Sequence, residues 1–100
     1  MSEAIEITTF KLVGCSCDAF IAANAEIDAW LSRQPGFQSR RIAEREDGTI
    51  VDVLIWDSAA NGTSSAERIM DEMGHSEVHS MIDQRTVSCG VPDLLCRWKS

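Results

Sequence analysis

The sequence lacks tyrosine entirely and is short of basic residues, and both shortages narrow its possible functions. Tyrosine is a common catalytic hydroxyl, so its absence removes that group from any active site. Nine lysines and arginines stand against 16 aspartates and glutamates among 100 residues, which gives a net charge of −7. This charge repels phosphate backbones and anionic lipids. We therefore expect neither a nucleic-acid partner nor a membrane partner.

The sequence has no long apolar run, and its first residues do not predict a secretory leader. No stretch reaches the roughly 18 apolar residues of a membrane span, and positions 1–9 carry two glutamates where a signal peptide has a basic start. We expect a cytoplasmic protein with reduced thiols. A zinc or redox role for Cys15, Cys17, Cys89 and Cys96 stays open, chiefly through a contact between subunits. Within one subunit, strand pairing would separate Cys89 from Cys15 and Cys17 by roughly 15 Å, so we expect no metal site. We also expect no cofactor.

The remaining composition is that of one folded domain spanning residues 1–100. Hydrophobic residues make up 44% and charged residues 25%, which is ordinary for a globular protein. Residue patterns predict, in chain order, a strand, a helix, two strands, a helix and a strand, at 4–13, 18–33, 37–46, 49–57, 64–73 and 84–90. Another helical turn is expected at 76–82. Ser64 and Glu67 form a capping box that predicts the start of the second helix.

This order predicts an α+β, ferredoxin-like β-α-β-β-α-β fold with a four-stranded antiparallel sheet. Right-handed crossovers place both helices on one face of that sheet. The other face needs separate cover.

The hairpin between the second and third strands predicts which side chains share a face. Asp47-Gly48 is a strong two-residue turn signal, and such a turn pairs Glu46 with Thr49. The face expected to pack against the helices then carries Ile42, Val51, Val53 and Ile55. The opposite face carries Phe37, Ser39, Arg41, Ile50, Asp52, Leu54 and Trp56. That second face is apolar enough to need a second copy of the chain as cover.

Several short motifs along this pattern resemble the antibiotic-biosynthesis-monooxygenase-like proteins. These are Phe20, Asn24, Trp30-Leu31, Gln34-Pro35-Gly36-Phe37, Ser39-Arg40, Asp47-Gly48 and Trp56-Asp57-Ser58. The resemblance covers about residues 5–87 and implies a homodimeric α/β barrel. It also implies a small-molecule cavity, with a cofactor-independent monooxygenase acting on an aromatic or quinol-like substrate as one function. Heme-degrading members use an asparagine on the first strand, where this chain has Thr8 and Thr9.

The residues expected to act in such a cavity combine the resemblance with the face assignment. Asn24, Trp56 and His79 are the candidate catalytic residues, as hydrogen-bond donor, aromatic wall and general base. Phe10, Arg41, Asp52 and Trp56 are the candidate ligand-binding residues, with Arg41 lying diagonal to Asp52. Each has a structural alternative: a buried amide for Asn24, core packing for Trp56, an ion pair for Arg41 and Asp52, and a surface position for His79. A non-catalytic homodimeric binding or stress-related module, or a purely structural interaction domain, is the alternative for the whole protein.

Overall fold

A computed structural model describes residues 3–90, with side chains through residue 88. The four strands are β1 (Ala4–Leu12), β2 (Phe37–Glu44), β3 (Ile50–Trp56) and β4 (Ile82–Gly90). The helices are α1 (Cys17–Ala23), α2 (Ala25–Ser32) and α3 (Ala59–Met73), followed by a 3₁₀ helix (Glu77–Met81). The strands form one antiparallel sheet in the order β2-β3-β1-β4. The predicted α+β, ferredoxin-like arrangement is confirmed.

The helices differ from their predicted limits at two places. Asn24 divides the first predicted helix, and its N–H contacts the carbonyls of both Phe20 and Ile21 at 3.1 Å. The second predicted helix starts at Ala59 rather than after Ser64, because the Ser58 hydroxyl caps it. The predicted Ser64 capping box is therefore wrong, since Ser64 lies inside α3. No helix among residues 3–90 is both long enough and apolar enough to cross a membrane.

The β2–β3 turn is one residue longer than the predicted two-residue turn. The Arg45 N–H donates to the Thr49 carbonyl at 2.8 Å, and Glu44 pairs with Ile50. Gly48 has a φ of +87°, which fits a three-residue loop that ends in a glycine bulge. A change of one residue in register turns every β2 side chain to the opposite face relative to β3.

The face assignment made from the sequence is therefore wrong for most of its members. Asp52, Leu54 and Trp56 are buried and lie on the helix side of the sheet, while Val51 and Val53 alternate onto the other side. In the observed register, Arg40 and Ile42 lie on the helix side with them. Phe37 joins them because the register shifts between Phe37 and Ser39. Of the four residues expected to face the helices, only Ile42 packs on the core. The predicted dimer surface carrying Leu54 and Trp56 is thus the face that packs against the helices of the same chain.

The uncovered side of the sheet is apolar as well. It carries Ile5, Ile7, Val51, Val53 and Ile55. We call these five residues the open face. Across β1 and β3, Ile5 pairs with Ile55 and Ile7 with Val53, while Val51 pairs with Thr9. Ile7 is 42% exposed, so this chain alone does not bury the open face.

The loop before β2 depends on Gly36. Its φ is +80°, and its carbonyl accepts the Asp57 N–H at 2.8 Å. A Cβ atom at Gly36 would collide with the side chains of Asp57 and Asn61, whereas a Cβ at Gly48 would meet nothing within 4 Å.

We predict that Gly36→Ala lowers the free energy of unfolding by about 3 kcal/mol or more, because backbone strain and a steric clash add together. The matched control, Gly48→Ala, has a similar φ without the clash and should cost only about 1–2 kcal/mol. Urea denaturation measures both. Equal losses would contradict the packing described around Gly36.

Candidate functional site

A cavity of about 160 Å³ lies between the sheet and helices α2 and α3. Its apolar lining includes the indoles of Trp30 and Trp56 and the aliphatic side chains of Leu31, Leu54 and Ile69. Trp56 comes from β3 and Trp30 from α2, so packing of the helix on the sheet brings the two rings to one space. Two indoles in an apolar cavity can stack on the ring of an aromatic ligand.

Glu6 supplies a carboxylate to this apolar lining. It pairs with Leu54 across β1 and β3, which places it on the helix side of the sheet. Trp56 Nε1 donates to Glu6 Oε1 at 3.1 Å. Burial raises the pKa of Glu6 above its ordinary value; the Trp56 bond and Arg40 act against this rise, and the Asp52 charge adds to it. The carboxylate is therefore a stronger proton acceptor than an exposed glutamate.

The second indole also has its N–H on a glutamate. Trp30 Nε1 donates to Glu72 Oε1 at 2.9 Å, and Glu72 lies 3.7 Å from Arg68 Nε. The Glu72 side chain is 49% exposed and does not line the cavity. The N–H groups of both indoles are thus bonded to glutamates, of which Glu6 lines the cavity and Glu72 does not.

A buried ion pair lies beside the cavity. Arg40 Nε and Nη2 donate to the two carboxylate oxygens of Asp52 at 3.0 and 2.7 Å. Arg40 also donates to Asp28 Oδ1 at 2.6 Å and to Asn24 Oδ1 at 2.9 Å. Burial alone would lower the pKa of Arg40, but the bonds and charges of Asp52 and Asp28 outweigh it and raise the pKa. The guanidinium therefore stays charged.

Solved structures with the same architecture cover nearly the whole chain. A variant of SnoaB, a cofactor-independent oxygenase from Streptomyces nogalater, matches with a TM-score of 0.74 and 17% identity over 99% of this chain and 97% of that one. A proposed antibiotic biosynthesis monooxygenase from Bordetella bronchiseptica matches with a TM-score of 0.74 and 12% identity, over 92% and 96%. A dimeric ferredoxin-like protein from an uncultured marine organism matches with a TM-score of 0.72 and 12% identity, over 100% and 94%. No family model and no curated protein matches the sequence.

The chain has the fold of the antibiotic biosynthesis monooxygenases. Identities of 12–17% with the structures named above establish this fold and leave the chemistry to the residues of the chain itself.

The structure separates the candidate residues that were predicted from the sequence. Trp56 is fully buried and borders the cavity. Phe10 is buried away from it, in an edge-to-face contact with Phe20 at 5.4 Å between ring centroids. His79 lies on the 3₁₀ helix, where its Nε2 is 3.0 Å from the Met73 carbonyl. Neither Phe10 nor His79 lines the cavity.

The predicted pair of Arg41 and Asp52 is wrong. Arg41 is exposed and pairs with Val53 on the open side of the sheet. The longer β2–β3 turn brings Arg40 to the helix side instead, and Arg40 bonds Asp52.

Both polar atoms of the Asn24 amide form hydrogen bonds within the protein. Its Nδ2 donates to the Phe20 carbonyl at 2.8 Å, and its Oδ1 accepts from Arg40. Asn24 is completely buried and does not line the cavity. The structural alternative therefore accounts for both of its polar atoms.

Glu6 was missed from the sequence. A carboxylate in a β-branched strand looks like an ordinary solvent-facing residue. Its register places it opposite Leu54 and beside Trp56. The available signal was its period-two spacing from Ala4 and Phe10, which are both buried.

A larger depression of about 350 Å³ opens to solvent between α1, α2 and β2. Its lining includes Arg40, Asp28, Phe37 and Ile42. The guanidinium there already has three side-chain partners, so we regard the smaller, more apolar cavity as the candidate site.

No cluster of three or more potential metal ligands occurs among residues 3–90. Cys15 and Cys17 are free thiols. The side chains of Cys89 and Cys96 lie outside the described residues, so the zinc or redox alternative stays a prediction.

We predict that Asp52→Ala lowers the free energy of unfolding by about 3 kcal/mol or more, because it leaves the buried Arg40 charge without its bidentate partner. Asp28→Ala is the matched control, since its side chain is 54% exposed, and should cost about 1 kcal/mol or less. Chemical denaturation midpoints measure both. Similar losses from the two variants would contradict the central role of Asp52.

Proposed function

We propose that the protein binds a small aromatic molecule between Trp30 and Trp56 and catalyses its cofactor-independent monooxygenation. The observation that carries this proposal is an apolar cavity that combines two indole walls with a single carboxylate. The fold it shares with SnoaB, a cofactor-independent oxygenase, supports the same reaction class.

In such a reaction the substrate itself supplies the electrons that reduce O₂. One oxygen atom enters the substrate, and the other leaves as water with two substrate hydrogens. An electron-rich ring such as a quinol is suited to this role. Trp30 and Trp56 would hold the ring and exclude water from it. Asn24 would act from outside the cavity, as a positioning residue for Arg40.

The cavity volume favours a substrate with one ring. Its volume of about 160 Å³ is close to that of an engineered apolar cavity of roughly 150 Å³ that binds benzene. A polycyclic molecule would require the side chains to move. We therefore propose a single-ring, quinol-like substrate.

A non-catalytic binding module is the second candidate. It is favoured because both indole N–H groups are bonded to glutamates and His79 lies away from the cavity. Oxygen uptake with hydroquinone as substrate distinguishes the two. Protein-dependent uptake supports the oxygenase, and binding without uptake supports the module.

We also propose that the protein is a homodimer joined through the open face. Ile5, Ile7, Val51, Val53 and Ile55 form a contiguous apolar surface across β1 and β3. A sheet with helices on one side needs cover on the other. The dimeric ferredoxin-like protein of the same fold supports this assembly.

For ligand binding, we predict that Ala66→Leu weakens toluene binding at least tenfold, because three added carbons enter the cavity that Ala66 lines. Ala60→Leu makes the same change at a position of α3 that does not line the cavity and should leave binding unaltered. Quenching of tryptophan fluorescence measures the affinity. Equal binding by both variants would place the ligand elsewhere.

For assembly, we predict that Ile7→Asp dissociates the dimer or sharply weakens it, because Ile7 pairs with Val53 and Gly90 across the sheet and an aspartate there would be buried at the interface without a charged partner. Ile21→Asp is the control, since Ile21 is an exposed apolar residue on α1. Size-exclusion chromatography with light scattering gives the mass. A wild-type mass near 11.0 kDa would overturn the dimer proposal.

A further inference from the structure

We propose that Glu6 makes the cavity selective for ligands that carry a phenolic hydroxyl, by accepting a hydrogen bond from the hydroxyl of a ring held between Trp30 and Trp56. This inference rests on the proposed function, since it specifies the ligand of the same cavity. It assigns to one residue the choice between a hydroxylated ring and a plain ring of equal size.

Glu6 is placed to make this choice by the composition of the lining. Of the described residues that line the cavity, Glu6 alone carries a formal charge, and the rest are apolar side chains, the two indoles and Ser65. An ionised carboxylate has about four lone-pair sites and donates nothing. It can therefore keep the Trp56 N–H bond and accept an O–H donor from a ligand.

The position of the carboxylate is fixed before any ligand arrives. Strand pairing opposite Leu54 sets the backbone of Glu6, and the Trp56 indole N–H holds Oε1 at 3.1 Å. The indole that donates this bond also forms a wall of the cavity. A ring stacked on Trp56 would therefore lie beside the carboxylate, within reach of it through a ring substituent.

Electrostatics and burial strengthen the preference for an O–H donor. Bonds to a charged acceptor in a partly dry site are stronger than neutral ones. Burial also raises the pKa of Glu6, which makes it a better acceptor for the weakly acidic hydroxyl of a phenol. A ligand that brings its own carboxylate would be repelled, and a plain aromatic ring would remove water from Glu6 without supplying an O–H donor.

Ser65 is the rival explanation for any hydroxyl preference. It is buried, lines the cavity, and has a hydroxyl that accepts from Arg68 Nη2 at 3.3 Å. A serine hydroxyl both donates and accepts, so it could bond a phenol as well. The test must therefore separate Glu6 from Ser65.

The test compares phenol with toluene, which has nearly the same size and lacks the O–H donor. Affinities are measured by tryptophan quenching and by calorimetry on the wild type, Glu6→Gln, Glu72→Gln and Ser65→Ala. Glutamine keeps the shape of Glu6 and an oxygen for the Trp56 N–H, but loses the charge. Glu72→Gln makes the same change at the partner of Trp30, outside the cavity.

We expect Glu6→Gln to reduce the ratio of phenol affinity to toluene affinity by about 10- to 100-fold, the range for a hydrogen bond to a charged acceptor. Glu72→Gln and Ser65→Ala should leave the ratio within about twofold. Near-ultraviolet circular dichroism checks that each variant is folded. If Glu6→Gln does not fold, Glu6→Asp retains the charge and should keep a phenol preference close to that of the wild type.

Three results would overturn the inference. The first is a ratio of phenol affinity to toluene affinity that is unchanged in Glu6→Gln. The second is a ratio that falls in Ser65→Ala instead. The third, where Glu6→Asp is used, is a ratio that falls to one. If the wild type binds toluene and shows no preference for phenol, the inference fails while the proposed cavity stands. If neither compound binds, the proposed function fails and the inference fails with it.

Discussion

The bidentate ion pair between Arg40 and Asp52 is the interaction on which the remaining structure depends. It joins β2 to β3 on the helix side of the sheet, and bonds to Asp28 and Asn24 extend it to the start of α2. A guanidinium buried to this extent must be paired. The pair therefore fixes three features together: the strand register, the helix break at Asn24, and the contact between helix and sheet.

That register determines what faces the cavity. With Arg40 on the helix side, β3 directs Asp52, Leu54 and Trp56 inward, and β1 places Glu6 opposite Leu54. The ion pair and Glu6 also interact electrostatically, since Asp52 raises the pKa of Glu6 and Arg40 lowers it. Because these two effects oppose each other, burial remains the main cause of the raised pKa of Glu6.

The sequence was enough to predict the order of elements and the ferredoxin-like topology. It was not enough for the faces of the sheet, because Asp47-Gly48 suits both a two-residue turn and a three-residue loop with a glycine bulge. Because of this one-residue ambiguity, Arg41 was predicted as the partner of Asp52, whereas the structure has Arg40 in that position. Glu6 escaped notice for a related reason, since strand periodicity alone does not say which face is covered.

Alternate residues of the seven-residue strand β3 face opposite sides of the sheet, so one set builds the interior and the other the open face. Ile50, Asp52, Leu54 and Trp56 build the interior, and Val51, Val53 and Ile55 form part of the open face. Large, irregular side chains fill the space under the helices, whereas β-branched side chains give the flat apolar surface suited to packing against a second sheet. Because the two sets point in opposite directions, a substitution can alter assembly without entering the cavity. A shift of register would change both sets together, which is why the Arg40 and Asp52 pair constrains the candidate site and the proposed dimer surface alike.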